Sequence, residues 1–379
     1  MRRPTNSRLA RLQPSGIRRI HALSQQHPGC IALALGEPEF DTPKEICEEV
    51  SHALDRGETH YPPNNGTAHL REDIARFMAA SGVAFSPQEI IVTAGATEAL
   101  SATFLALLDP GDEVIIPLPA FGLYESIVTA CHAQPVFLDT CASGFQISEA
   151  ALAQVVSSRT KAIVITSPNN PTGCALNAAS LDAIRRVAAQ TGIYVVCDDV
   201  YYRLVYTSCF ERMAVRHASL AEQLIVVESF SKPWAMTGWR LGWVGAKEDV
   251  SVEIAKAHQY LVSSVPAFLM PAAQRALAVD PAPILDVYRR RRELVLCELK
   301  AMGLPVVVPD GAFYAFPSIQ KTGLVSEDFC ERAIREAGVA VVPGTCFGAE
   351  GFIRLSYCVS DDDLREGLVR LKRFVQQLI

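Results

Sequence analysis

The chain has 379 residues, 49% of them hydrophobic and 20% charged, with a formal net charge of −6. That length exceeds what one hydrophobic core usually serves, so two lobes are expected. The acidic balance argues against a nucleic-acid or anionic-membrane surface, and no apolar stretch is long enough to span a bilayer.

The opening segment MRRPTNSRLARLQPSGIRRI is basic but has no apolar run behind it, so no secretory leader is expected. Thr42-Pro43-Lys44-Glu45 reads as a helix cap, a proline at the first helical position and a capping-box glutamate. Ile46, Val50, Ala53 and Leu54 then recur at helical spacing up to Gly57, and Leu70, Ile74, Phe77 and Met78 mark a second amphipathic helix that stops near Gly82. Seven short apolar runs follow: EIIVT (89–93), EVIIP (113–117), PVFLD (135–139), KAIVIT (161–166), IYVVC (193–197), LIVVE (224–228) and LGWVGA (241–246). Continuous rather than alternating hydrophobicity predicts strands buried on both faces, and their alternation with helical segments predicts a mainly parallel sheet in an α/β lobe. From about residue 285 a charged amphipathic helix, then PVVVPDGAFYAF and FIRLSY, predict a smaller α+β lobe. The expected division is an N-terminal arm and part of the small lobe at 1–42, the large lobe at 43–284 and the small lobe at 285–379. The eleven cysteines, odd in number and without a C-x-x-C pair, predict reduced thiols in a cytoplasmic protein, with no disulfide framework and no metal site.

In open α/β sheets ligands bind just beyond the carboxyl ends of the strands. After the predicted strands come Gly95-Ala96-Thr97, Pro119-Ala120-Phe121, Ser167-Pro168-Asn169-Asn170, Asp198 with Tyr201, and Ser229 with Lys232. Small residues, hydroxyls, an amide, a carboxylate and an amine would thus line one rim. Lys232 is the one charge in SFSKPWAMTGW (229–239) before Arg240. A lysine is ordinarily a solvated surface charge. In a small-residue pocket it can instead present a free amine, able to form a Schiff base with an aldehyde.

SFSKPWAMTGWRLGW (229–243), SPNNPTG (167–173), CDDVYY (197–202), GEPEFDTP (36–43) and VVPGTCFG…IRLSY (341–357) resemble, in order and spacing, the class I/II aminotransferases of fold type I. The resemblance spans nearly the whole chain and implies pyridoxal 5′-phosphate as cofactor. It implies that Lys232 is the Schiff-base lysine and proton shuttle, and that Asp198 keeps the ring nitrogen protonated. Asn170 and Tyr201 would bind the ring 3′-oxygen, and Phe121 would stack on the ring. Gly95, Ala96 and Thr97, at a helix start, would hold the phosphate together with Ser229 and Arg240. Tyr61, in HYPPNNG (60–66), matches a tyrosine that reaches the phosphate of a neighbouring subunit, implying a homodimer with shared active sites. Arg354 matches the arginine for the substrate α-carboxylate, with Gly36 and Asn170 beside it. The sequence departs from the pattern at Asp199, where glutamate is common, and at Ala120, where a tyrosine is often found; the latter would widen the pocket.

The expected reaction is a ping-pong transfer from an L-amino acid to a 2-oxo acid such as 2-oxoglutarate. Gly16 and Ile17, within QPSGIRRI (13–20), face the substrate side chain in such enzymes, and QYLVSSVPAFLM (259–270) offers Leu261, Val262 and Phe268 rather than a cation. Neutral donors, aromatic or large aliphatic, are therefore expected to outperform aspartate, unless Arg18 or Arg19 swings inward. A lyase or synthase on the same scaffold, such as a carbon–sulfur β-lyase or an aminocyclopropane-carboxylate synthase, stays open. A cofactor-sensing regulator would need a fused DNA-binding region, for which the segment before Pro43 is too short.

Overall fold

The structure, a computed structural model, describes residue 3, residues 6–12 and residues 14–379; Gln13 of the segment singled out above lies outside them. In chain order its strands are β1 (Ile31–Ala32), β2 (Ile90–Thr93), β3 (Glu113–Leu118), β4 (Gln134–Asp139), β5 (Thr160–Thr166), β6 (Tyr194–Asp198), β7 (Leu224–Ser229), β8 (Gly242–Gly245), β9 (Tyr314–Ala315), β10 (Val339–Ala340), β11 (Val342–Pro343) and β12 (Ile353–Ser356). β2 to β8 are the seven predicted runs. They form one sheet in the order β2-β8-β7-β6-β5-β3-β4. All pairings are parallel except those of β8, which runs against both β2 and β7. Because β8 is reversed between them, β2 and β7 point the same way. The ends of β2, β3, β5, β6 and β7 therefore share one edge, and so does the start of β8.

Side chains alternate across this sheet. Val92, Ile115, Ile163, Ile165, Val195 and Val226 pack into a core on one face. Ile91, Val114, Ile116, Val164, Val196 and Val227 pack into another on the opposite face. Both faces are covered, which is why these strands read as unbroken apolar runs. β4 departs from that expectation: as the edge strand it is only partly covered, and Phe137 is 43% exposed.

A third core surrounds the antiparallel sheet β11-β12-β9 and the helices Ala282–Ala301 and Asp361–Gln376. The parallel pair β1-β10 brings residues of the N-terminal arm into this second body. No helix among the described residues is long and apolar enough to cross a membrane.

The capping expectation at 42–45 needs correction. The helix spans Lys44–Asp55 with Pro43 at its cap position, and no side chain caps it. The Thr42 hydroxyl instead donates to the Ala235 carbonyl at 2.9 Å and accepts from Trp239 Nε1 at 2.9 Å. It fastens the N-terminal arm to the loop that follows Lys232.

Candidate active site

The shared strand edge opens into a cavity of about 500 Å³. Lys232, Asp198, Tyr201, Asn170, Phe121 and Ser229 line it. So do Ala96, Thr97, Arg240, Arg354, Gly36 and Ile17. Gly95 lies directly beneath Arg240, as described below. Tyr61, 90% exposed, lies outside this cavity, and so do Gly16, Arg19, Leu261, Val262 and Phe268.

Asp198 ends β6 on the face opposite Cys197, so alternation turns its carboxylate toward the helix Leu123–Ala130. There the Tyr124 hydroxyl donates to Oδ2 at 2.7 Å, while Oδ1 has only a long 3.4 Å contact from the Val200 N–H. Burial raises the Asp198 carboxyl from its ordinary value to about 6. One acceptor is thus held in place and the other is left short of donors. Asp199 points elsewhere. It pairs with the buried Arg212 at 2.8 Å, and Arg212 also pairs with Glu228. Breaking such a buried network costs about 3–5 kcal/mol, so Asp199 is a structural group.

Lys232 follows β7 and is half-buried. Its Nζ donates to the Gly36 carbonyl at 2.7 Å and lies 5.9 Å from the Phe313 ring centroid. Burial lowers its ammonium to about 8, so about a tenth of the amine is uncharged at pH 7.

Arg240 precedes β8 in the left-handed region, φ 54°. Its Nη1 donates to the Thr237 carbonyl at 2.9 Å. A Cβ built on Gly95, itself at φ +79°, would lie 2.7 Å from Arg240 Nη2, so the guanidinium rests on bare backbone. Gly95 starts the helix Gly95–Leu107, whose first N–H groups have no intrahelical acceptors. The acidic residue of that first turn, Glu98, faces away: it accepts from the Ala94 N–H at 3.0 Å and contacts the fully buried His258 at 3.1 Å. Ser229 Oγ accepts from the Ser231 N–H at 3.0 Å and donates to the Leu241 carbonyl at 3.2 Å.

At the other end of the cavity Arg354, 1% exposed, lies on β12. Nη1 donates to Asn170 Oδ1 at 2.9 Å and Nη2 to the Ala34 carbonyl at 2.5 Å; Nε is buried without a partner. The guanidinium sits over Tyr314 and Phe347, 4.6 and 5.0 Å from their ring centroids. Tyr314 shares a 2.9 Å hydroxyl contact with Tyr201 and presses on Gly36, where a Cβ would lie 2.0 Å from its Oη.

Sequence reasoning missed Tyr124 and Tyr314. Each carries a hydroxyl in an otherwise apolar pattern, and its partner lies far away in the chain. Ala120 lines a smaller cavity of about 30 Å³ that shares Tyr124 and Thr166 with the larger one.

An amine, a buried carboxyl, a hydrogen-bonding pair and a cation at a helix start, placed around one sheet edge, suit an enzyme of the pyridoxal type. The chain belongs to the class I and II aminotransferases, whose family pattern matches residues 28–371. It is 38% identical to a probable N-acetyl-LL-diaminopimelate aminotransferase of Bacillus subtilis, over 98% of this chain and 95% of that one. It is also 38% identical to an aspartate aminotransferase of Pyrococcus abyssi, over 98% of each. The crystal structure of an aromatic aminotransferase from Pyrococcus horikoshii superposes with a TM-score of 0.89 at 37% identity, covering 94% of this chain and 99% of that one. The protein is accordingly an aminotransferase acting on amino and oxo acids, and pyridoxal 5′-phosphate is its cofactor. The residues present fit that group. The under-satisfied Asp198 Oδ1 suits a protonated ring nitrogen, the Lys232 amine suits an aldehyde, and the bare start of Gly95–Leu107 beside Arg240 suits a phosphate.

Proposed function

We propose that the protein transfers the amino group of a neutral L-amino acid, aromatic or large aliphatic, to a 2-oxo acid such as 2-oxoglutarate by a ping-pong cycle. The observation that carries this is the single cavity in which Lys232, Asp198, Arg240 and Arg354 meet, with Ile17, Leu35 and Phe121 as apolar lining. Pyridoxal 5′-phosphate, when bound, supplies an electron-withdrawing ring that stabilises a carbanion at the substrate Cα.

Lys232 Nζ would hold the cofactor and, once displaced from it by the substrate amine, would take the Cα proton and return it. Its depressed basicity suits it to that work near neutral pH. Asp198, fixed by Tyr124, holds the ring-nitrogen proton; a cation beside it favours the charged carboxylate that burial alone disfavours. Tyr201 and Asn170 bind the ring oxygen, and Phe121 packs on the ring face. Gly95, Ala96, Thr97, Ser229 and Arg240 bind the phosphate. Arg354 binds the substrate α-carboxylate through the guanidinium edge left unpaired at Nε, near Gly36. Side chains of neutral donors lie along Ile17, where an unpaired carboxylate would be costly to bury.

The working unit is a homodimer in the cytoplasm. Large lobe 43–284 carries the cofactor, with small lobe 285–379 and arm 1–42 on the substrate side. Tyr61, exposed in one chain, reaches the site of its partner. Hybrid dimers of Lys232→Ala with Tyr61→Phe chains test the sharing. They regain one intact site if Tyr61 acts across the interface and none if it acts within its own chain.

Specificity constants for phenylalanine, methionine, alanine and aspartate with 2-oxoglutarate test the donor assignment. Neutral donors are expected to lead, and a clear preference for aspartate would overturn it.

A further inference from the structure

The helix Gly95–Leu107, assigned above to the cofactor phosphate, carries a carboxylate in its first turn, that of Glu98. A phosphate dianion and a carboxylate at one helix start repel each other. Glu98 is only 9% exposed, so water screens it little. Its neighbour is His258, fully buried on the helix Glu248–Val262 that packs along Gly95–Leu107. Neither residue lines the cavity.

The hydrogen bonds of His258 fix the charge of this pair. Its Nε2 lies 3.0 Å from the Asn64 carbonyl oxygen, which can only accept, so Nε2 carries a proton. That acceptor is held in place, because the next carbonyl, of Asn65, accepts from the Val92 N–H on β2 at 3.1 Å. Nδ1 of the same ring lies 3.1 Å from Glu98 Oε1. A neutral imidazole would turn a lone pair on Nδ1 toward a buried carboxylate, at high cost. A second proton therefore lies between Nδ1 and Oε1, and the pair as a whole is neutral, whichever atom holds it. The other oxygen, Oε2, accepts from the Ala94 N–H at 3.0 Å, directly before Gly95, Ala96 and Thr97. We infer that Glu98 and His258 are positioning residues for the cofactor phosphate. Glu98 fixes the turn whose N–H groups receive it, and His258 cancels the negative charge that would otherwise oppose it. This rests on the phosphate assignment proposed above.

Cofactor affinity tests it without recourse to turnover. Full-length protein freed of cofactor is titrated with pyridoxal 5′-phosphate and with pyridoxal, which lacks the phosphate, and occupancy is read from absorbance. His258→Gln keeps a donor but cannot carry the second proton. It should weaken binding of the phosphate form on the order of 10- to 100-fold, and that of pyridoxal by less than about threefold. Glu98→Gln should leave the ratio of the two affinities unchanged, since its amide can donate to a neutral His258 while its oxygen still accepts from Ala94. Glu98→Gln added to His258→Gln should restore most of the lost ratio. No loss in His258→Gln, or an equal loss of both ligands, overturns the inference. So does a Glu98→Gln variant that binds the phosphate form selectively about tenfold more tightly, because its carboxylate was then uncompensated. That variant decides the matter even where His258→Gln fails to fold. Arg240→Ala separates the underlying assignment from the pair. A selective loss of the phosphate form upholds that assignment, and then an unaltered ratio in His258→Gln removes only the pair; without a selective loss the assignment falls, and the inference with it.

Discussion

The two ends of the cavity are built differently. The cofactor end is made where the chain leaves the large sheet: Asp198 at the end of β6, Ser229 at the end of β7 with Lys232 just beyond it, Gly95 after β2, and Arg240 just before the reversed β8. Backbone hydrogen bonds in the ladder and packing on both faces fix these positions. The substrate end is assembled from residues that are distant in sequence: Ile17 and Arg18 on a helix, Gly36 in a loop, Tyr314 on β9 and Arg354 on β12. Its geometry depends on packing between the two bodies. Chemistry common to a family can be held on the sheet, while selectivity is adjusted on the helix and small-sheet side without disturbing it.

That contrast can be broken by substitution at each end. Lys232→Ala should have the largest effect, lowering turnover by about 10³-fold or more while Asp198, Arg240 and Phe121 still retain the cofactor. Steady-state kinetics with cofactor occupancy read from absorbance would check it; a variant active within tenfold of wild type would remove Lys232 from the chemistry. Asp198→Asn should follow, with exchange of the substrate Cα proton slowed on the order of 10²- to 10³-fold, because a neutral amide cannot hold the ring proton. Exchange at the wild-type rate would assign that task to another group.

The smallest effect concerns pH. Only the uncharged Lys232 amine can attack an aldehyde, and the amine loses its proton as pH rises through about 8. Cofactor uptake by the apoprotein should therefore quicken about tenfold from pH 6 to 7 and level off above pH 8. Asp198, protonated below about 6, should weaken uptake further on the acid side. A rate still rising steeply beyond pH 9 would show an ordinary, solvated lysine.

Legibility in the sequence follows the same division. The strands of the large sheet could be read as apolar runs because both faces are covered, and the groups after them could be read as a rim because parallel strands end together. Tyr124 and Tyr314 could not. Their importance lies in hydrogen bonds to Asp198 and Tyr201 across 74 and 113 positions, which no local pattern carries. Thr42 looked like a helix cap because its neighbours fit a cap; its hydroxyl is taken by Ala235 and Trp239. Arg18 and Arg19 were indistinguishable as adjacent cations. Only the positions of Glu327 and Glu331 show that Arg19 is occupied while Arg18 faces the cavity.

The central claim is that Lys232 is the residue joined to the cofactor, and one measurement addresses it directly. Holoenzyme reduced with borohydride and then digested should yield a single pyridoxyl-bearing peptide, with the added mass on Lys232. A label on any other lysine, or none at all from fully loaded enzyme, would contradict the account.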